Sequence, residues 1–360
     1  VQLRPYQREA VETVYTYLRS HDDNTVVVIP TAGGKTPIMA TICKDVVTRW
    51  DDRVLILAHV KELLEQAADK LRQVCPEVSF GVYSAGLNRR DTGRAVILAG
   101  IQSVYQRASE LGAFDLVLVD EAHLIPVEGD GMYRHFLAEA KALNPHLHVV
   151  GLTATAYRLK SGLICNLDHF LNAICYEVGV RELIVQSYLY PLVTKAGQAK
   201  DDTSGLHVRG GEYVGDEVED LMDQQWLVEA ACGELVAYTA GRQAVLIFAS
   251  GVKHGQHVVR VLKEQHGIEC GFVSGKPSDG ERDRLIARFR YQEWASQLQI
   301  DFGSNAAEPL KFLCNVNVLT TGFDTPNVDC VVLLRPTLSP GLYYQMVGWS
   351  AAASTCTPAR

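Results

Sequence analysis

Short apolar runs alternate with stretches whose apolar residues recur every three to four positions along most of the 360 residues. The short runs predict buried strands and the longer period predicts amphipathic helices. This alternation is expected of a parallel sheet joined by crossover helices. In the first half, strands are expected at 25–30, 53–59, 95–99, 116–120 and 148–153, and helices at 5–19, 36–49, 61–74 and 133–142. In the second half, strands recur at 243–249, 269–273, 311–316 and 328–334, with helices at 252–266, 280–290 and 341–347. The intervening stretch, 157–219, is less regular and carries loop signals at 200–205 and 209–212. The expected organisation is a first α/β domain over 1–185, a connector leading into the second domain over 186–240, and the rest of that domain over 241–360. The polar stretch 291–309 reads as an inserted surface loop.

Composition narrows the class. Hydrophobic residues make up 47% and charged residues 21%, values of an ordinary globular protein, and either half is long enough to bury a core. The 34 basic residues against 42 acidic ones give a net charge of −8. A uniformly basic coat for nucleic acid is excluded, but a local basic groove is not. No apolar run of about 18 residues predicts a membrane span, and residues 1–7 lack a basic-then-apolar leader. The first residue is Val1, so the natural start is expected to lie upstream. The nine cysteines are scattered, without a C-x-x-C pair. This predicts buried thiols, no cysteine metal site and a reducing, cytoplasmic setting.

Two motifs carry chemistry. Val26-Val-Val-Ile-Pro-Thr-Ala-Gly-Gly-Lys-Thr reads strand, glycine-containing loop, helix, the context in which Gly-Lys-Thr cradles phosphates. The backbone amides of Ala32 to Thr36, including Gly33 and Gly34, are expected to face phosphates at the positive end of a helix. Thr31 opens the loop, Lys35 is expected to reach the β and γ phosphates, and the Thr36 hydroxyl to ligate Mg²⁺. For the tripeptide alone, a strand–turn–helix with a solvated lysine is an equal alternative. The second motif changes that balance. Leu116-Val-Leu-Val-Asp-Glu-Ala-His is a buried strand ending in two acids, on the ligand side of a parallel sheet. Asp120 is expected to hold Mg²⁺, Glu121 to orient or deprotonate water, and His123 to relay contacts onward. Together the motifs predict nucleotide hydrolysis.

At this point the chain resembles the superfamily 2 helicases of the DEAH-box kind over nearly its whole length. Leu3-Arg-Pro-Tyr-Gln-Arg-Glu-Ala resembles the family's adenine-recognition motif, which implies Gln7 on the adenine edge with Arg4 and Tyr6 shaping the base pocket. Leu57-Ala-His-Val-Lys-Glu-Leu and Ala99-Gly-Ile-Gln-Ser-Val resemble nucleic-acid contact motifs, which implies strand contacts by His59, Lys61, Gln102 and Ser103. Gly151-Leu-Thr-Ala-Thr resembles the coupling motif, with Thr153 and Thr155 linking the two activities. Leu246-Ile-Phe-Ala-Ser is similar to the fourth motif. Val318-Leu-Thr-Thr-Gly-Phe-Asp-Thr-Pro is similar to the fifth, placing Gly322 and Asp324 near ATP and Thr320 and Thr321 near the strand. Arg158 is a further backbone contact. A local cluster of Arg89, Arg90, Arg94 and Arg107 against Asp91 suits phosphates, or else is a solvated charged face. Runs at 57–64, 144–158 and 315–329 are similar to RadD-type bacterial DNA-repair ATPases.

The resemblance implies two tandem RecA-like domains, ATP and Mg²⁺ as cofactors, and a single-stranded or branched DNA partner. It breaks in three places. Ala32 stands where the family has glycine; its methyl group narrows the loop, but this is expected to be a small departure because alanine tolerates most backbone angles short of the left-handed region. In the sixth motif, Gln345-Met-Val-Gly348 is followed by Trp349 and Ala352 where two arginines belong. Gln345 keeps its expected catalytic position, but an arginine finger is worth about 10³–10⁵ in rate. A non-hydrolysing, ATP-switched DNA-binding module is therefore the alternative to a helicase. The motor subunit of a restriction system, with the same motifs, is another. The match stops at one residue, and 349–360 has neither strand nor helix pattern, so the sequence after Gly348 is expected to be out of frame or otherwise foreign. Reading the coding nucleotides in the two other frames tests this; one of them is expected to restore Arg-x-x-Arg, and failure in both removes the idea.

Overall fold

The structure is a computed structural model that describes residues 2–158, 162–275, 279–298, 309–318 and 327–351. The chain divides into two compact units, Val1–Tyr188 and Leu189–Arg360.

In the first unit, α1 (Pro5–Ser20) leads into β1 (Thr25–Val28), α2 (Lys35–Asp45), β2 (Val54–Ala58) and α3 (Lys61–Val74). Next come β3 (Phe80–Ser84), β4 (Arg89–Arg90), β5 (Val96–Gly100), α4 (Ile101–Val104) and α5 (Ala108–Leu111). The unit continues with β6 (Leu116–Asp120), α6 (Met132–Leu143), β7 (His148–Thr153), β8 (Tyr157–Arg158) and β9 (Gly162–Leu163), and ends with β10 (Ala173–Glu177) and α7 (Val180–Val185).

Eight of these strands form one sheet in the order β10-β1-β7-β6-β2-β5-β3-β4, and only β4 runs antiparallel to its neighbour. Every residue of β1, β2, β5 and β6 is buried. Helices cover both faces of a parallel sheet, so its strands are apolar throughout rather than alternating. This is why uninterrupted runs such as Val-Leu-Ile-Leu-Ala became strands here. Gly151 makes the central packing close: a Cβ there would stand 2.5 Å from Ala122 Cβ, so β7 lies flush against the segment that follows β6.

The second unit starts with the short pair β11 (Val208–Arg209) and β12 (Glu212–Tyr213), then α8 (Gly215–Met222) and α9 (Gln225–Tyr238). Its core follows: β13 (Val245–Ala249), α10 (Val252–His266), β14 (Cys270–Val273), α11 (Asp279–Leu298), β15 (Phe312–Asn315), β16 (Cys330–Leu334) and α12 (Pro340–Ala351). Its sheet is parallel, ordered β14-β15-β13-β16. Helix α10 ends where Gly267 takes φ +65°, its N–H returning to Lys263 O at 3.1 Å and that of Ile268 to Leu262 O at 3.0 Å, a left-handed glycine stop.

Two paired α/β units with parallel sheets are thus observed, as the alternation predicts. Three expectations need correction. Residues 291–298 lie in α11 and not in a loop, because Gln292, Glu293 and Ala295 are polar or small yet strong helix formers. The helical pattern of α12 reaches Ala351, three residues past Gly348. Strands β3 and β10 were not anticipated, since Phe80-Gly-Val-Tyr-Ser and Ala173-Ile-Cys-Tyr-Glu mix apolar with small or polar residues.

A buried histidine gives the second unit an acid sensitivity. His254 is 2% exposed, and its Nδ1 accepts the Ser250 N–H at 3.2 Å with Ser250 Oγ 2.6 Å away. Burial pushes its pKa down to about 4, against a smaller opposing pull from Asp223. The unfolded chain binds a proton at His254 below its ordinary value near 6.5 while the folded chain does not, so stability is complete above that value and is lost as pH falls toward 4. The expected loss between pH 7.5 and pH 5 is about 2 kcal/mol. Urea unfolding at the two pH values checks this: His254→Gln should flatten the difference, and an unchanged difference counts against it.

Candidate functional site

The phosphate loop leaves β1 in a tight turn. The Ile29 N–H donates to Thr153 O and the Gly33 N–H to Pro30 O, each at 2.9 Å. Because the Gly33 amide closes this turn, the set of amides expected to face phosphates narrows. The start of α2, at Gly34, Lys35 and Thr36, has no side-chain cap, so its positive end is open to an anion. Ala32 has φ +66°, contrary to the expectation from sequence. An alanine there costs roughly 1–2 kcal/mol, which explains why glycine is the family residue. Gly34 has φ +82°, and a Cβ on it would fall 2.2 Å from Gln7 Nε2.

Gln7 and Tyr6 hold this loop from α1. Gln7 Nε2 donates to Gly33 O at 3.1 Å while its Oε1 accepts the Arg4 N–H at 2.9 Å. Tyr6 Oη donates to Gly33 O at 2.6 Å. The expected adenine-reading residues therefore sit beside the phosphate loop, with both ends of the Gln7 amide engaged by backbone. Arg4 lies 5.2 Å over the Tyr188 ring and Tyr6 packs on the same ring at 5.1 Å. Tyr188 was missed in sequence: it lies 184 residues from Arg4, beyond any local pattern.

Across the sheet, β6 delivers two carboxylates. Asp120 and Glu121 are 5% and 6% exposed, and Glu121 takes φ +53°, a strained conformation typical of functional sites. Lys35 Nζ stands 3.8 Å from Glu121 Oε1, and His123 Nδ1 stands 3.3 Å from Glu121 Oε2. Burial and the neighbouring Glu121 charge push Asp120 up from its ordinary pKa. Burial also opposes ionisation of Glu121, but Lys35 and His123 outweigh it and hold that carboxyl low. His59, expected on the strand side, adds its positive influence to Glu121. Tyr133 is a second residue missed in sequence: its buried hydroxyl has no hydrogen-bond partner among the described residues, and burial, with a smaller push from both carboxylates, raises its pKa.

Burial and the adjacent Glu121 charge disfavour an ionised Asp120, and Lys35 is the one lysine paired with these carboxylates among the described residues. These residues fit a divalent cation. No cage of three or more His, Cys, Asp or Glu side chains occurs among the described residues. That is the pattern of a cation held by one carboxylate, a hydroxyl such as that of Thr36, and substrate oxygens.

The residues expected to couple the two activities form a chain. Thr153 Oγ1 donates to Thr155 O at 3.0 Å and accepts the Thr155 N–H at 3.1 Å. With its proton so placed, it accepts from His123 Nδ1 at 3.0 Å, which sets that tautomer. Among the expected strand contacts, Lys61 opens α3, while Gln102 and Ser103 lie in α4, all beyond the C-terminal ends of parallel strands. Arg158 donates to Ile125 O at 3.2 Å and so braces the segment after β6. Gln345 is buried in α12 of the second unit. Thr320, Thr321, Gly322 and Asp324 lie outside the described residues.

Residues 1–158 match the family described as Type III restriction enzyme, res subunit, and residues 227–351 match the helicase conserved C-terminal domain. The chain belongs to the superfamily 2 helicases. The helicase core is 26% identical to IRC3 of Saccharomyces cerevisiae, named an ATP-dependent helicase, across 96% of this chain and 49% of that protein. It thus spans about half the length of that relative. Two solved structures share the fold of this helicase core. S. cerevisiae Dbp5 bound to RNA and ADP BeF3 gives a TM-score of 0.60 at 17% identity, covering 96% of this chain and 84% of that one. The Type ISP restriction-modification enzyme LlaBIII bound to DNA gives 0.62 at 15%, covering 97% and 26%. No helix among the described residues is long and apolar enough to cross a membrane.

Gly34→Ala tests the loop geometry. The added methyl collides with the Gln7 amide at a left-handed position, so binding of a fluorescent ATP analogue should weaken by about 1–3 kcal/mol. Titration of the variant against the unaltered chain reads the change, and equal affinity counts against this arrangement.

Proposed function

We propose that this chain is the motor core of an ATP-dependent helicase or translocase acting on nucleic acid, DNA rather than RNA. In this reading the larger protein serves DNA repair in a reducing, cytoplasmic setting, as its likeness to RadD-type ATPases suggests. The eight described cysteines, all unpaired, support a reducing compartment. The observation that carries the proposal is the Lys35–Glu121 pair, joined through His123 to Thr153 and Thr155. It ties a phosphate loop to an acidic strand and to the motif that couples hydrolysis to strand movement.

The residues divide the work as follows. Lys35 and the start of α2 receive the phosphates, while Thr36 and Asp120 hold Mg²⁺. Bound there, Mg²⁺ supplies positive charge to the phosphate oxygens. Glu121 orients the attacking water and accepts its proton. Gln7, Tyr6 and Arg4 keep the loop in register beside the base. The sequence boundaries 1–185, 186–240 and 241–360 serve as ATP-binding domain, connector and second motor domain. By resemblance, Gly322, Asp324 and Gln345 act on the ATP side, and Thr320 and Thr321 on the strand side.

A second reading rests on one observation: Trp349 and Ala352 replace the family's two arginines. It is a nucleotide switch that binds ATP and DNA without turnover. Steady-state ATP hydrolysis at low salt, with and without single-stranded DNA, separates the two. DNA-stimulated, EDTA-sensitive turnover supports the motor, and nucleotide binding without turnover supports the switch. Lys35→Ala should abolish ATP binding. Glu121→Gln should retain binding and lower turnover by about 10²–10⁴; turnover at the unaltered rate would remove Glu121 from its assigned role.

A further inference from the structure

The hairpin of β11 and β12 reaches the loop that leads into α12. In sequence, Arg209-Gly-Gly-Glu signals only a loop. In the structure Gly210 and Gly211 take φ +70° and +89° between the paired Arg209 and Glu212, the left-handed couple of a two-residue hairpin turn. His207 closes the base: its N–H donates to Glu217 Oε2 at 2.7 Å, and its O accepts the Val214 N–H at 2.9 Å. Glu212, which opens β12, is thereby held at a fixed place on the hairpin.

The Glu212 carboxylate receives three donors from the loop after β16. Thr337 Oγ1 donates to Oε2 at 2.5 Å, the Leu338 N–H to Oε1 at 2.9 Å and the Ser339 N–H to Oε2 at 3.2 Å. Burial opposes ionisation of Glu212, but these bonds outweigh it and hold the carboxyl low, so the clamp is charged at neutral pH. Ser339 in turn caps α12. Its Oγ accepts the Leu342 N–H at 3.1 Å and its O the Tyr343 N–H at 3.0 Å, with Pro340 at the first helical position. The carboxylate thus sets where α12 starts. Leu342 and Met346 pack into the second unit's core, and Gln345 is buried on the same helix.

Glu212 also bears on the entry to the fifth motif. Burial disfavours the charge of Arg335, the residue after β16, and the Glu212 carboxylate offsets part of that cost. Arg335 Nη1 donates to Asn317 Oδ1, and Asn317 takes the left-handed φ of +55° immediately before the stretch that begins at Val318. One hairpin carboxylate therefore anchors the start of α12 and supports the arginine that reaches the fifth motif's doorstep. We infer that Glu212 is a positioning residue for nucleotide binding: it holds the start of α12, and with it Gln345, in register. It acts through the helix and touches no substrate. The inference rests on the reading that Gln345 serves the ATP side.

The test uses the full chain. Hydrogen–deuterium exchange read by mass spectrometry follows the clamp, and titration with mant-ATP follows its consequence. Glu212→Ala should raise amide exchange over 338–346 by about tenfold or more while β13 and β15 stay protected. It should weaken mant-ATP binding by about two- to thirtyfold. Glu212→Gln keeps one acceptor oxygen and should restore part of both; if Glu212→Ala loses protection in β13 and β15, this variant carries the comparison. Gln345→Ala should weaken binding by itself, and adding Glu212→Ala should weaken it no further. Glu234→Ala frees the Gln198 and Ala199 amides elsewhere in the same unit, and should leave both readouts unchanged. Unaltered exchange in Glu212→Ala overturns the inference, as does faster exchange with unaltered binding, which makes the clamp structural only. Additive losses from Glu212→Ala and Gln345→Ala overturn the route through α12. If Gln345→Ala weakens binding and Glu212→Ala does not, this inference alone fails. If Gln345→Ala binds like the unaltered chain, the assignment of Gln345 to the ATP side fails and the inference with it.

Discussion

Asp120 and Glu121 are adjacent carboxylates buried at the end of one strand, and the first unit is arranged around their charge. Removing a carboxylate from water is expensive unless positive charge or hydrogen bonds offset it. Lys35, His123 and His59 supply the offset from three different segments, those following β1, β6 and β2. Each is delivered by a parallel strand whose C-terminal end faces the same side. The sheet order thus does more than make a core: it brings a lysine and two imidazoles from distant parts of the chain to one acidic pair. The compensation is incomplete, and that remaining negative charge is what a bound cation would answer.

Backbone strain gathers at the same place. Ala32 and Glu121 are the two non-glycine residues of the site in left-handed conformation. A fold tolerates such residues when surrounding contacts over-determine them. Here Tyr6 and Gln7 fix the loop next to Ala32, and Asp120 Oδ1 accepts the Glu121 N–H at 3.0 Å. The hydrogen bonds that hold the strained backbone come from the residues that flank the chemistry.

The strands that carry the site were legible because full burial on both faces gives long aliphatic runs, as in Leu116-Val-Leu-Val. The motifs were legible because their residues are contiguous. Strand β3 was not, since Gly81 and Tyr83 interrupt its apolar character, and the buried Tyr83 hydroxyl is bonded to Glu110 and Arg107 from outside the strand. Helix α11 was misread past 290 because polarity was taken for a loop where propensity favours helix. The partners of Arg4 and the fate of each arginine near Asp91 depend on pairing across the sheet. No local pattern encodes that Arg89 and not Arg90 meets the Asp91 carboxylate.

The sheet order also sets a distance. Five strand spacings separate β1, which carries the phosphate loop, from β3, which pairs with β4 at the sheet edge; at about 4.8 Å each, that is roughly 24 Å. Screening between solvent-exposed charges in physiological salt acts over about 8 Å, so exposed charges at the two places interact weakly through water. Packing through the sheet is the other route between them. The intervening strands β7, β6, β2 and β5 are buried and tightly packed, a medium that transmits displacement better than it transmits charge. The sheet itself is then the transmission element, and its stiffness, rather than any long-range attraction, sets how faithfully one end reports to the other.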